Sequence, residues 1–202
     1  MEWTLEQAEE MRIGRRTYGD KHKGGALTWI RTGQETGGEY SLLYGELGPG
    51  YWIFPHYHTV YTETFKILEG QLPGVYGGRK ITGRAGEEVV VPPGTLHGWG
   101  PVPEGEVKAV VELRPAHEGF EKWIPMIHNM SVDGLTKPDL QPKSFVHSAL
   151  FLVGTDTRLG GSARALNPIM KTVAWFARRA GVERRLEEKY FHTSTGDVAP
   201  AG

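Results

Sequence analysis

The sequence predicts a mainly β domain, a sandwich or barrel of short strands, with a short helix before it and a helical extension after it. Three observations predict this. Short β-rich runs alternate with turn residues from about Leu27 to Leu113. The chain holds 28 Gly and 13 Pro, which supply many tight turns. Helical periodicity is confined to the two ends.

In chain order, Thr4 followed by Gln7 has the spacing of a capping box and predicts a surface helix within 4–16, ended by Gly14 or Gly19. Strands are expected at 27–32, 40–47, 52–58, 63–68, 72–76, 79–82, 87–91 and 106–113. Gly48-Pro49-Gly50, Glu69-Gly70, Gly77-Gly78, Ala85-Gly86 and Pro92-Pro93-Gly94 separate them. Gly77-Gly78 is a two-residue hairpin signal. Beyond Pro115, residues 118–130 read as a helix bent or broken at Pro125. Residues 143–153 fit either a helix or a buried strand. Asn167-Pro168 predicts a helix start, with Asn as N-cap. Ile169, Met170, Val173, Phe176, Ala177 and Ala180 then form its apolar stripe, and Gly181 stops it. A second short helix is expected over 182–190. The domain plan is an arm (1–26), a β domain (27–115), a helical extension packed on it (116–192) and a disordered tail (193–202).

Composition narrows the chemistry. The chain of 202 residues is 39% hydrophobic and 23% charged, with a net charge of -1. It is long enough to bury a core without staples. No basic block exists to track a phosphate backbone, so nucleic acid is not an expected partner. There is no cysteine, so a metal must be held by nitrogen and oxygen. No apolar run is long enough to span a membrane, and the first residues lack a secretory pattern; a cytoplasmic protein is expected. The run Arg178, Arg179, Glu183, Arg184, Arg185, Glu187, Glu188, Lys189 reads as a solvated helix face with local ion pairs.

Two segments carry the chemistry. The first runs from Gly50 through His56, His58 and Glu63 to Gly70; the second from Gly86 through Pro92 and Gly94 to His97. Alternate side chains on a strand share a face, so His56 and His58 point the same way. If the next strand folds back as a hairpin toward Gly70, Glu63 returns beside them. The Pro92-Pro93-Gly94 turn delivers His97 from elsewhere in the wall. Three neutral imidazoles and one carboxylate suit Fe(II), Mn(II), Co(II), Ni(II), Cu(II) or Zn(II), with positions left for water or substrate.

These segments resemble the paired signatures of the cupin superfamily. The first matches G-x5-H-x-H-x4-E-x6-G at every fixed position. The second matches G-x5-P-x-G-x2-H and then departs, with Pro101 where the family pattern has Asn. That Asn is not a ligand, so the departure bears on loop geometry rather than on the metal. Fifteen residues, Gln71 to Ala85, lie between the motifs, a gap similar to that of small single-domain cupins of the quercetinase type. The resemblance covers roughly residues 40–113. It implies a jelly-roll barrel of six to eight strands, His56, His58, Glu63 and His97 as ligands, and a homodimer.

Strand parity from the ligands points Trp52, Phe54, Phe65, Ile67 and Trp99 inward, if Pro55 does not disturb it. They would line an aromatic pocket or simply fill the interior. Tyr57 is expected to face outward. Tyr61 flanks the ligands and is a candidate acid or base, as is Glu63. His22, His117, His128, His147 and His192 show no ligand spacing and read as structural or surface residues. The first functional reading is an Fe(II)-dependent dioxygenase of a small apolar or aromatic molecule. The others are a non-redox isomerase, cyclase or lyase, and a non-catalytic metal- or small-molecule-binding cupin.

Overall fold

The computed structural model describes residues 3–20 and 25–191. Its order is α1 (Leu5–Arg12), β1 (Thr17–Asp20), β2 (Gly25–Arg31), β3 (Ser41–Leu47), β4 (Ile53–Tyr57), β5 (Thr62–Glu69), β6 (Gln71–Tyr76), β7 (Arg79–Arg84), β8 (Glu88–Val91), β9 (His97–Trp99) and β10 (Val107–Arg114). Then follow α2 (Glu118–Val132), α3 (Phe145–Gly154), β11 (Arg158–Leu159), α4 (Asn167–Arg179) and α5 (Val182–Tyr190). The strands form two antiparallel sheets, one ordered β1-β2-β3-β10-β5-β8 and the other β11-β4-β9-β6-β7. This is a jelly-roll arrangement of two facing sheets. No ladder joins them among the described residues, so the expected barrel is not closed by hydrogen bonds.

Most of the expected strands are present within a residue or two of their ends. Gly77 and Gly78 both take positive φ and close the β6–β7 hairpin between Tyr76 and Arg79. Strands β1, β9 and β11 are too short to show a periodicity of their own. The Thr4–Gln7 capping box forms as expected.

Strands β2 and β3 are buried almost throughout, because both faces of their sheet are covered. Leu27, Trp29, Leu43 and Leu47 enter the core between the sheets. Ile30, Leu42 and Tyr44 pack outward with Ala8 of α1. A separate cluster, with Trp123, Met126, Met130, Leu150, Met170, Ala174 and Leu186, holds the helical extension together.

The extension departs from expectation in three places. Helix α2 continues through Pro125 without a break. The ambiguous segment is helix α3, whose start is capped by Ser144. Asn167 lies inside α4 and is not its N-cap. Its side-chain amide instead bonds both backbone groups of Leu159, at 3.0 and 3.1 Å. Helix α4 is also rotated from its expected stripe: Met170, Ala174 and Ala177 are buried, while Ile169 and Phe176 are exposed. The charge run pairs locally, Arg178 with Glu183 and Arg184 with Glu188, and ties α5 to α2 through Lys122 and Glu187. The expected tail, 193–202, lies outside the described residues, as do His22 and His192.

The segment after α3 grips the β domain. Asp156 sits at φ 52, a conformation that Asp tolerates better than most residues. Its carboxylate accepts the Thr59 backbone N–H at 2.6 Å, the Thr59 hydroxyl at 2.8 Å and Arg158 at 2.7 Å. Burial alone would raise its pKa; the bonds from Thr59 and Arg158 outweigh burial and hold it below the usual value. A lowered carboxylate contributes stability above about pH 4, the ordinary aspartate range, that is lost as pH falls through the lowered value. Asp156→Ala is expected to cost about 1–3 kcal/mol in urea unfolding at neutral pH. The penalty should shrink as the buffer is acidified below pH 4. An equal penalty at both pH values would sink this account of the clamp.

Candidate metal centre

His56 lies on β4, His97 on β9 and Glu63 on β5, while His58 follows β4 directly. His56 pairs with His97 across the β4–β9 ladder. The turn at Gly94 holds this register, with the Gly94 N–H donating to the His58 carbonyl at 2.6 Å. Glu63 reaches the site by a different route from the expected hairpin. Strand β5 belongs to the opposite sheet, between β10 and β8. Residues 58–61 carry the chain across, so Glu63 faces the histidines over the interior.

All four side chains are buried, and one ligand atom of each lies within 4.8 Å of the others. His56 Nε2 is 3.0 Å from His58 Nε2. His97 Nε2 is 3.0 Å from a Glu63 carboxylate oxygen, and His58 Nε2 is 3.7 Å from it.

The other face of each ring fixes its protons. His56 Nδ1 is 2.7 Å from the Phe54 carbonyl, and His97 Nδ1 is 3.0 Å from the Thr95 carbonyl. A carbonyl can only accept, so both Nδ1 atoms carry hydrogen. His58 Nδ1 is 2.6 Å from the Tyr61 hydroxyl, which donates to the Thr155 carbonyl at 2.8 Å. With that hydroxyl proton committed, His58 Nδ1 must be the donor as well. Burial, and then the neighbouring His97, push His56 down to about 3. Burial, with His56 and His97 behind it, holds His58 well below the usual value. Burial keeps His56 and His58 neutral, and with each Nδ1 turned to its own partner the three Nε2 atoms converge on a carboxylate. Such a cluster repels itself unless a cation sits within it. The donor set fits a divalent transition metal, and the partners of Nδ1 are those that orient metal-binding histidines.

The cluster opens on an apolar cavity of about 80 Å³. Of the residues expected to line it, Phe54, Phe65 and Trp99 do, with Phe65 and Trp99 in ring contact at 4.5 Å. Ile67 faces inward but is sealed in the core and does not reach the cavity. Trp52 does not line it either; it is 38% exposed. The cause is an irregularity in β4, where Ile53 pairs with Trp99 and His56 with His97. The extra residue reverses parity upstream of Phe54, so Tyr51 and Ile53 take the inward positions. Tyr57 points away, under Arg164. The Pro101 departure shapes a turn beside the site: Gly100 donates to the Pro73 carbonyl, and Val102 to the Tyr51 carbonyl.

Sequence reasoning missed the part of the wall that the extension supplies. Phe120, Ile124, Ile127 and His128 of α2 line the cavity, with Asp139, Leu140, Phe151 and Thr157. The spacing of the α2 residues signals one helix face, but nothing local says what that face covers. His117 proves structural, its Nδ1 accepting the Phe120 N–H at the start of α2. His128 is buried and held down to about 4 by burial, despite the Gly25 carbonyl beside it.

No protein-family model matches the sequence, and no curated protein matches it. Solved structures do. KdgF from Halomonas sp. is similar over 51% of this chain and 89% of its own, at 16% identity and TM-score 0.45. The polyketide cyclase RemF from Streptomyces resistomycificus is similar over 52% and 75%, at 20% identity and TM-score 0.44. An RmlC-like cupin from Shewanella frigidimarina is similar over 54% and 90%, at 19% identity and TM-score 0.44. Each of these likenesses covers about half of this chain.

Tyr61 has a positioning part in this arrangement: its hydroxyl joins His58 to Thr155, and it is not among the cavity-lining residues. Tyr61→Phe is expected to keep the fold and weaken metal binding about 10-fold or more. Competition with a chromogenic chelator measures this. Unchanged affinity would show that the hydroxyl does not orient His58.

Proposed function

We propose that the chain is a metal-dependent enzyme acting on a small apolar or aromatic molecule, and specifically an Fe(II)-dependent dioxygenase. His56, His58, Glu63 and His97 would hold the metal. The observation that carries the reading is the convergence of three imidazole lone pairs and a carboxylate at the wall of an apolar cavity. Iron bound there would supply the means to activate dioxygen, which organic side chains lack.

The protein's own contribution follows from its residues. Phe54, Phe65, Trp99 and Phe120 would pack against an aromatic substrate and exclude water from the cluster. Glu63 is the carboxylate of the cluster and would accept a proton from a substrate hydroxyl placed beside it. Asp139 also lines the cavity; its carboxylate accepts the Gln141 backbone N–H at 3.2 Å. The histidines, each bonded through Nδ1, would remain neutral and keep their orientation during turnover.

Elemental analysis of protein purified without a metal-affinity tag tests this reading, with His97→Ala as control. Near-stoichiometric iron, lost in the variant, together with oxygen uptake on flavonols or other phenols, is the expected result. Stoichiometric zinc without oxygen uptake would overturn the dioxygenase reading in favour of a non-redox isomerase, cyclase or lyase. No metal in either protein after reconstitution would overturn the metal centre itself.

A further inference from the structure

Among the described residues that line the cavity, one buried side-chain donor has no partner in the fold. Trp99 lines the cavity and is 1% exposed, and its Nε1–H has no acceptor within reach. An indole N–H can only donate, and burying it unbonded is costly. Trp123 shows the usual solution: equally buried, it donates from Nε1 to Glu183 at 3.2 Å. Trp29 Nε1 is also buried and unbonded, but Trp29 does not line the cavity. The Trp99 donor is therefore the one that a molecule in the cavity could satisfy.

Packing sets the direction of that donor. Strand β9 lies between β4 and β6, and the Trp99 ring meets Phe65 of the opposite sheet, with centroids 4.5 Å apart. Its six-membered edge faces β6: a Cβ on Gly74 would come within 2.7 Å of Cε3 and 3.2 Å of Cζ3. Gly74 takes an ordinary φ, so close packing and not backbone conformation calls for glycine there. Nε1 lies on the other long edge of the indole. It therefore faces away from β6, toward β4, where Ile53 pairs with Trp99. Ile53, Phe65 and Leu72 of the cavity wall offer it no side-chain acceptor. His97 and Trp99 are alternate residues of β9, about 7 Å apart along the strand, so the donor stands roughly one ring's length from the cluster. The cavity itself is small, about 80 Å³. An apolar cavity of about 150 Å³ admits benzene, which sets one ring as the upper limit here.

We propose that Trp99 is a specificity-determining residue: its Nε1–H donates to an acceptor oxygen of the substrate, which is a compact, mostly apolar molecule of at most one ring. Selection then has two parts. The carbon wall admits an apolar body, and the lone donor prefers the molecule that carries an oxygen over the hydrocarbon of the same shape. Among phenols, the volume favours simple ones over flavonols. That the bound molecule is a substrate rests on the function proposed above; the donor and its direction do not.

Nuclear magnetic resonance of the six indole N–H groups tests this on zinc-loaded and metal-stripped protein, with the Trp99 signal assigned through its own backbone. The probes are cyclopentanone, which accepts a hydrogen bond but cannot donate one, and cyclopentane, which does neither. Cyclopentanone should move the Trp99 Nε1 proton downfield without comparable movement of Trp29; cyclopentane should not. Calorimetric titration should show Trp99→Phe weakening cyclopentanone about 5- to 100-fold, the effect of leaving a buried acceptor unpaired, with cyclopentane bound no less tightly. The resonance is read on the unaltered protein, so that arm stands even where the variant folds poorly. No downfield shift at saturation, equal weakening of both probes by the variant, or no binding of either probe would overturn the proposal. The shift on metal-stripped protein, with neither iron nor oxygen uptake in the test above, would keep the donor and reject the proposed enzyme. Iron-dependent oxygen uptake with an unmoved Trp99 signal would do the reverse.

Discussion

Three imidazole nitrogens and a carboxylate oxygen are buried within 4.8 Å of one another. The surrounding structure has to hold them there. The Phe54 and Thr95 carbonyls and the Tyr61 hydroxyl each take an Nδ1 proton, which turns every Nε2 inward as a lone pair. The backbone around the site is shaped to the same end. Gly98 leaves room for β9 to lie against β4, where a Cβ would meet the Ile53 carbonyl at 2.9 Å. Gly74 does the same on the β6 side, against Gly98 and Trp99.

Much of this was legible in the sequence. The four cluster residues and their motif spacing stand in two short segments, and strand parity correctly aligned Phe54, His56 and His58. Parity failed at Trp52 because it assumes an unbroken pleat, and β4 gains a residue against β9. That irregularity depends on a partner strand more than 40 residues away, so no local pattern announces it. The hairpin expected between His58 and Glu63 failed for a related reason. A four-residue connection can turn back within one sheet or cross to the other. The choice is made by which strands compete for the edge of β5, and β10 and β8 occupy both edges.

The helical extension was legible as helices but not as a wall. Helix α5 falls where expected, and α2 continues through Pro125 within a well-packed helical core. The exposure of Ile169 and Phe176 shows the limit of periodicity, which finds an apolar stripe but not its cover. Asn167 is a similar case. A good capping residue is used instead to fasten the backbone of Leu159, a long-range need that outbids the local one.

Five consecutive residues of the extension, 155–159, touch the site at nearly every position. Thr155 takes the Tyr61 proton, Asp156 clamps Thr59, Thr157 lines the cavity, and Arg158 and Leu159 pair with Tyr57 and His56. The motif-bearing half and the helical half are therefore not interchangeable modules. In descent, the helices cannot be traded for another appendage without rebuilding the histidine–glutamate cluster. Divergence in this lineage should preserve the join between the halves more strictly than the surfaces of either.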